Sequence, residues 1–417
     1  MKATKLMSLF LALTLVLTCV ASIASAEDEP IILTHWFWPD SDFHTETMQS
    51  IVDEFNATNG KNITVKLEIH PWQGGQYSQD LFNAAYGGNA PDTAGFKLTA
   101  TPLFVANDFL EPLDSYIENW DKKDEIEDTL YETLRSTTDT GKLYLMPWNI
   151  QVLYIYYRPS YFEMAGIEVP TTYEEFLTAI EKCTMDTDGD GIIDIYGYGL
   201  RGSNGGQEPW GSFVYARGGS FETMTSPEAI QGMQDFIDIY QKGYAPQTAP
   251  NDGFNQIIGA FQAGLTAMTI QHIGSSTQMI EIFGDDVAAF QIPENPGGTR
   301  WTSMGDTETV MFASCEHKEA AFEWLSFLAA GHGQETWCVK TGNVPVAASV
   351  KALPEIAENR FMATSIEGSP FAGIIPVLDT TTEWITTVWP STVQQALLGQ
   401  ITAEEAMKQL DAALFER

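Results

Sequence analysis

From Ile31 to Trp38 only Thr34 and His35 are polar, and a short apolar run of this kind predicts a buried strand over 31–38. The period then changes. Met48, Ile51, Val52 and Phe55 recur at spacings of three and four, which puts them on one face of a helix over 46–56. Over 63–69 the pattern alternates, with Ile63, Val65, Leu67 and Ile69 set against Thr64, Lys66 and Glu68, so a half-buried strand follows. A β-α-β opening predicts a sheet covered by helices, the α/β class.

Later segments repeat these devices. Thr172 and Glu175 stand at capping-box spacing before a helix whose buried stripe is Tyr173, Phe176, Leu177 and Ile180. Thr402 and Glu405 do the same ahead of Met407, Leu410 and Leu414. Trp324 falls with Ala321, Leu325 and Leu328 on a core stripe. The apolar strands at 151–157 and 287–292 are candidates to cross between two lobes. No repeat and no Pro- or Ser-rich linker separates independent domains.

The first 26 residues read as a secretory leader. Lys2 and Lys5 precede an apolar run from Leu9 to Val20, and Ala24, Ser25 and Ala26 form a small-residue cleavage site before Glu27. No later segment approaches the roughly 20 apolar residues a membrane span needs, so an exported chain without membrane insertion is expected, in the periplasm or at the cell surface. Val16, Leu17 and Thr18 match a bacterial lipoprotein box poorly, and no lipid anchor at Cys19 is expected. Without its leader the chain has roughly 390 residues, enough for two lobes each with its own core.

Loss of the leader removes two of 21 basic residues and none of 56 acidic ones, leaving 19 minus 56, or −37. That field repels phosphate backbones and anionic lipid heads, which argues against nucleic-acid or membrane partners. Cys183, Cys315 and Cys338 remain, an odd number that cannot form a complete disulfide framework.

Asp186, Asp188, Asp190 and Asp194 occupy positions one, three, five and nine of a loop, with the Ile192 carbonyl at seven and Gly191 at the turn. Such spacing wraps oxygen ligands around a hard cation, and calcium is the expected occupant. Position twelve is Gly197, where a calcium sensor places a bidentate glutamate, so the loop is expected to be structural and not a switch. A solvated Asp/Gly turn is the alternative.

Aromatic rings cover the flat C–H faces of a ligand, and polar groups beside them serve its hydroxyls. Trp38, Trp72, Trp148, Trp210 and Trp301 lie beside glycine, proline or polar residues and are candidate platforms, although core packing is the competing use of any tryptophan. Trp38 and Asp40 end the first strand, where ligands of open α/β sheets gather. Lys97 and His272 are candidate hydrogen-bonding groups, against ordinary surface roles. There is no Gly-x-Ser-x-Gly elbow, no His-Glu-x-x-His and no phosphate-cradling loop, and the histidines show no zinc spacing with the cysteines. A carboxylate pair at glycosidase separation is not readable from sequence, which leaves a secreted glycoside hydrolase or lyase as one alternative and a calcium-dependent adhesion or sensory module as another.

The chain resembles the bacterial extracellular solute-binding proteins of carbohydrate ABC importers, of the maltodextrin-binding type. The resemblance runs in order through Leu33-Thr-His-Trp36, Ala90-Pro-Asp92, and Asn107-Asp-Phe-Leu-Glu-Pro-Leu-Asp114, with Asp108 where the family has glycine. Gly141-Lys-Leu-Tyr-Leu-Met-Pro-Trp148, Tyr156-Tyr-Arg-Pro-Ser-Tyr-Phe-Glu-Met-Ala-Gly166, Phe261 to Met268, Lys318 to Leu328 and Gly342-Asn-Val-Pro345 follow. The resemblance implies a two-lobe periplasmic-binding-protein fold of type II, with the ligand cleft between lobes joined by crossing segments. It divides the chain into a first lobe of 27–147 plus about 291–341 and a second of about 148–290 plus 342–417. It further implies a monomer that captures a sugar or oligosaccharide, without catalysis, for the permease subunits of an ABC importer. Because it places the first crossing near Pro147, it puts Trp148 on the cleft floor with Asn149 beside it, and Trp301 and Asp306 near a ligand-facing turn.

Overall fold

A computed structural model describes residues 29–39, 41–72 and 75–416, so the leader, Cys19 and Asp40 lie outside the described residues. β1 (Ile31–Phe37) and β2 (Ile63–Ile69) pair in parallel, Ile31 opposite Ile63, around the helix α1 (Asp42–Thr58). Ser41 caps that helix by accepting from the His44 N–H, and Met48, Ile51, Val52 and Phe55 are buried, so the opening motif is the one the periodicity predicts. β3 (Thr93–Phe96) and β4 (Met146–Val152) join the same sheet.

After the single residue Leu153 the chain enters a second sheet as β5 (Tyr154–Tyr157). The helix α2 (Tyr173–Lys182) starts on the expected Thr172–Glu175 capping box and buries Tyr173, Phe176, Ala179 and Ile180, with Leu177 half-buried. β6 (Tyr196–Gly199), the helices α3 (Gln207–Ala216) and α4 (Phe254–Gln262), β7 (Thr266–Gln271) and β8 (Ala288–Phe290) follow. β9 (Thr302–Met311) returns to the first sheet, and the helices α5 (Lys318–Ala330) and α6 (His332–Thr341) pack behind it. β10 (Val344–Pro345), β11 (Ala372–Gly373) and the capping-box helix α7 (Ala403–Phe415) complete the elements used below.

The first sheet has seven strands in the order β10-β4-β9-β3-β1-β2 with β11 beside β9, and the second has four in the order β6-β7-β5-β8. Each carries its own core. Leu33, Phe37, Met48, Phe55, Trp148, Val310, Trp324 and Trp337 belong to the first, and Ile155, Phe176, Trp210, Phe213, Trp384, Trp389 and Leu410 to the second. His35 is buried against Trp324 with Nδ1 bonded to the Thr93 hydroxyl, and burial pushes its imidazole down to about 3, so it is neutral at physiological pH. Cys183, Cys315 and Cys338 are free and buried.

Core membership does not divide the chain as the expected lobe limits would. Val344, Val346, Ala347, Val350, Ile356 and Phe361 pack in the first core because β10 pairs with β4, and the chain reaches the second core again only at Ile375 and Trp384. Ile258, Phe261, Ile273 and Met279 also lean on the first core. Asp108, where the resembled family has glycine, takes a left-handed φ of 56°, a conformation Asp reaches more easily than most residues.

The two sheets meet where the crossings touch. Thr302, at the start of β9, accepts from the Leu153 N–H and donates to the Leu153 carbonyl, both at 2.8 Å and both buried. Gln291 donates to the Thr364 carbonyl across a third passage, in which Ile374 and Val377 touch the first core and Ile375 the second.

Trp324, fully buried against His35 and Phe55, is a core residue as its stripe predicts. Trp148 is buried equally deeply against Phe37 and Trp337. Replacing either with alanine is expected to cost about 3–5 kcal/mol of folding stability in urea melts, and a loss under 1 kcal/mol at Trp148 would show a ring that does not serve the core.

Candidate functional site

Ligands of open α/β sheets bind outside the carboxyl ends of the strands. In the first sheet those ends carry Trp38 after β1, His70 and Trp72 after β2, and Lys97 after β3. The Trp38 and Trp72 rings lie 5.6 Å apart at 47°, and Lys97 Nζ stands 5.9 Å from the first and 5.6 Å from the second. Tyr77 supports them: its ring is 4.8 Å from Trp38 and its hydroxyl donates to the Gly95 carbonyl at 2.9 Å, with burial pushing the phenol well above its ordinary range. Gly95 lets the Trp38 ring approach closely, since a Cβ there would fall 3.1 Å from it.

Beside them Trp36 stacks on His70 at 3.8 Å and donates through Nε1 to Glu68. This pair was missed in the sequence, where Trp36 counts only as an apolar strand residue. Its signal is the alternation that places it next to the β2 edge.

In the second sheet the corresponding ends carry Arg201, two residues beyond β6, and His272, directly after β7. The Phe254 ring lies between them, 6.0 Å from His272 at 26° and 5.9 Å from the Arg201 guanidinium carbon. His272 is half-buried and its Nδ1 accepts from the Gly274 N–H, so it shapes the turn as well as the rim. Arg201 and Phe254 were not foreseen; the available signal is a lone basic residue in the glycine-rich stretch 199–206.

Other expected platforms are placed differently. Trp148 is a core residue and not a cleft floor, because it sits where the β4–β9 ladder slips between Pro147 and Asn149 and its ring turns to Phe37 and Trp337. Asn149 is 3% exposed with neither amide atom hydrogen-bonded. Trp210 is fully buried among Phe221, Trp384 and Trp389. Trp301 stacks on Tyr215 at 5.3 Å and closes over Gly211 and Gly373, where a Cβ would fall 2.4 Å and 2.3 Å from it. Flanking glycines thus mark close packing of a ring here and not its exposure. Asp306 pairs with Ile150 in the β4–β9 ladder, and its side chain is outside the described residues. The buried Glu308 lies opposite Phe96 and Pro147 on the same strand.

Segments beside each rim reach the other lobe: Phe254 and Ile273 pack against the first core. Leu98–Ala100, directly after Lys97, lies against Thr381–Glu383 at the edge of the second core. A ligand gripped by aromatic and cationic groups at both strand ends would therefore bridge the lobes.

In the acidic loop, carboxylate oxygens of Asp186, Asp188 and Asp194 come within 4.8 Å of one another on the exposed surface. Asp190 is not part of this group; its carboxylate accepts from the Ile192 N–H instead. Asp186 accepts from Gly189 and Gly191, whose φ values of 79° and 89° need glycine. Asp194 accepts from the Thr187 N–H and hydroxyl, which hold its carboxyl below the ordinary range. Position twelve admits no side chain, because a Cβ at Gly197 would lie 1.8 Å from the Ile180 carbonyl oxygen.

Residues 50–364 match the family described as bacterial extracellular solute-binding protein. An arabinooligosaccharide-binding protein of Halalkalibacterium halodurans is 22% identical over 309 residues, which span 70% of this chain and 66% of that relative's length. Among solved structures, a Thermotoga lettingae ABC-transporter solute-binding protein bound to α-D-tagatose aligns with TM-score 0.80 and 23% identity over 93% of this chain and 99% of its own. The GacH receptor of Streptomyces glaucescens, solved unliganded and with acarbose, aligns with TM-score 0.80 and 20% identity over 93% and 98%. Maltose-bound MalE3 of T. maritima gives 0.77 and 21% over 92% and 99%. With the match covering most of its length and the two-sheet, two-core architecture in place, the chain belongs to the bacterial extracellular solute-binding proteins and has their two-lobe type II fold.

Proposed function

We propose that this protein captures a sugar or oligosaccharide between its lobes and delivers it, chemically unchanged, to the permease subunits of an ABC importer. The observation that carries this function is the half-buried Trp72 ring beside Lys97 at the carboxyl ends of the first sheet, backed by the buried Trp38, a platform that offers a ring face to C–H surfaces and a donor to hydroxyls. The names of the relatives support it, since the proteins it resembles are described with arabinooligosaccharide, tagatose, acarbose and maltose. Export as a monomer after removal of 1–26 belongs to this proposal; among the described residues no helix is long and apolar enough to cross a membrane.

Capture needs no chemistry, only a closed state that ligand stabilises. A thermal-shift screen of mono- and oligosaccharides should find a ligand that adds about 2.7 kcal/mol of stability at a hundredfold excess over its Kd. The same sugars should be recovered intact after prolonged incubation. Shortened products accumulating with time would make the protein a glycoside hydrolase or lyase instead.

Trp72 is only half-buried and packs on the outer edge of the first core, after the last residue of β2. Trp72→Ala should therefore fold and bind about thirtyfold more weakly, corresponding to about 2 kcal/mol. Unchanged affinity in calorimetric titration would remove the ring from the site.

The acidic loop suits a hard cation, because its donors are carboxylate oxygens spaced as ligands at 2.3–2.6 Å require. Asp186, Asp188 and Asp194, with the Ile192 carbonyl, would hold calcium, whose contribution is to neutralise their mutual repulsion. Chelation is then expected to lower the melting temperature while sugar affinity stays within a factor of about two. Identical melts in calcium and in chelator would leave the loop a plain turn.

A further inference from the structure

Arginine in this chain is almost everywhere neutralised on the spot. Arg135 faces Asp114, Arg158 faces Asp286, Arg217 bridges Glu174 and Asp235, Arg300 bridges Glu294 and Glu367, and Arg360 faces Asp285. Among the described arginines Arg201 alone has no ion pair, in a chain with 56 acidic residues against 21 basic ones. Acidic partners are plentiful, so its isolation is a property of the place it occupies.

That place is built. Arg201 Nε donates to the Asn204 carbonyl at 2.9 Å, which fixes one edge of the guanidinium. Its plane passes over Gly205, where φ is 79° and a Cβ would fall 1.7 Å from Nη2, so the loop leaves room for this side chain and no other residue fits beneath it. Phe254 flanks the guanidinium carbon at 5.9 Å and leads to the His272 ring. The terminal nitrogens donate to no described residue. Burial pulls the guanidinium down from its ordinary value and Glu208, on the first turn of α3, pulls it back up; it keeps its proton throughout the physiological range.

A fixed, partly desolvated guanidinium with unspent donors, beside aromatic faces, is complementary to a carboxylate attached to a sugar ring. We infer that the second-lobe half of the cleft takes a uronate unit, with Arg201 as the residue that reads its charge. This rests on the sugar-binding function proposed above and specifies its substrate class. A phosphate ester carries close to two charges, which one guanidinium near Glu208 does not offset. The acidic field of the whole chain, which repels polyanions, acts on a single charge here and is screened beyond about 8 Å in physiological salt.

The test is calorimetric titration of galacturonate- and glucuronate-ended disaccharides beside their methyl esters, which keep every hydroxyl and lose the charge. The wild-type protein should bind the acids about tenfold or more tightly than the esters. Arg201→Met should bring that ratio close to one, Arg201→Lys should keep part of it, and Glu208→Gln should widen it. Esters bound as well as acids by the wild type, or a ratio unchanged in Arg201→Met, overturns the inference. Should Arg201→Met fail to fold, a ratio unmoved in both Arg201→Lys and Glu208→Gln overturns it equally. If neutral oligosaccharides bind and the acids are excluded, the uronate assignment falls while sugar binding stands; if no sugar of any kind binds, the proposed function itself falls and takes the assignment with it.

Discussion

The hydroxyl of Thr302 bonded to both backbone groups of Leu153 is the contact on which the two-lobe arrangement turns. Leu153 is where the chain leaves one hydrogen-bond ladder and enters another, and at such a point its N–H and carbonyl have no strand partner. Buried backbone groups left unpaired cost about 1–3 kcal/mol each, so the crossing exists only because something satisfies both. Thr302 does so from the first residue of β9, the other strand that passes between the sheets. One side chain thereby ties the two crossings together.

From that tie follows the position of the site. The strands of each sheet deliver short, chemically distinct segments past their carboxyl ends: Trp38, Trp72 and Lys97 on one side, Arg201 and His272 on the other. The cations at these ends rest on aromatic rings, an interaction worth about 0.5–2 kcal/mol depending on desolvation. The rings hold the cations in place without a carboxylate partner at Arg201, so its donors stay available in a chain that is otherwise dense with acceptors. Where arginine is used for architecture, as in the Arg217 contacts to Tyr173, Glu174 and Asp235, it is closed off by acidic groups instead.

The acidic loop obeys a separate constraint. Gly197 is pressed against the Ile180 carbonyl where β6 passes under α2, and this packing forbids the glutamate that would complete a calcium-sensor loop. A loop without that lever has no means of moving a helix, and its carboxylates are held instead by the backbone of the loop itself.

Local pattern by itself determined the β-α-β opening, the two capping-box helices and the core role of Trp324, because each depends on residues within a few positions of one another. The order of motifs along the chain carried the family and the two-lobe fold. What only the tertiary structure decided was the direction in which individual rings face. Trp38, Trp72, Trp148, Trp210 and Trp301 all sit beside proline, glycine or polar residues, yet only Trp72 stays half-buried: Trp38 and Trp210 join the two cores, a slipped ladder turns Trp148 inward, and close approach to Gly211 and Gly373 encloses Trp301. Arg201 was illegible for the same reason: among the described residues it has no ion pair and feels Glu208 only at longer range, and a one-dimensional string records neighbours along the chain but not distances in space.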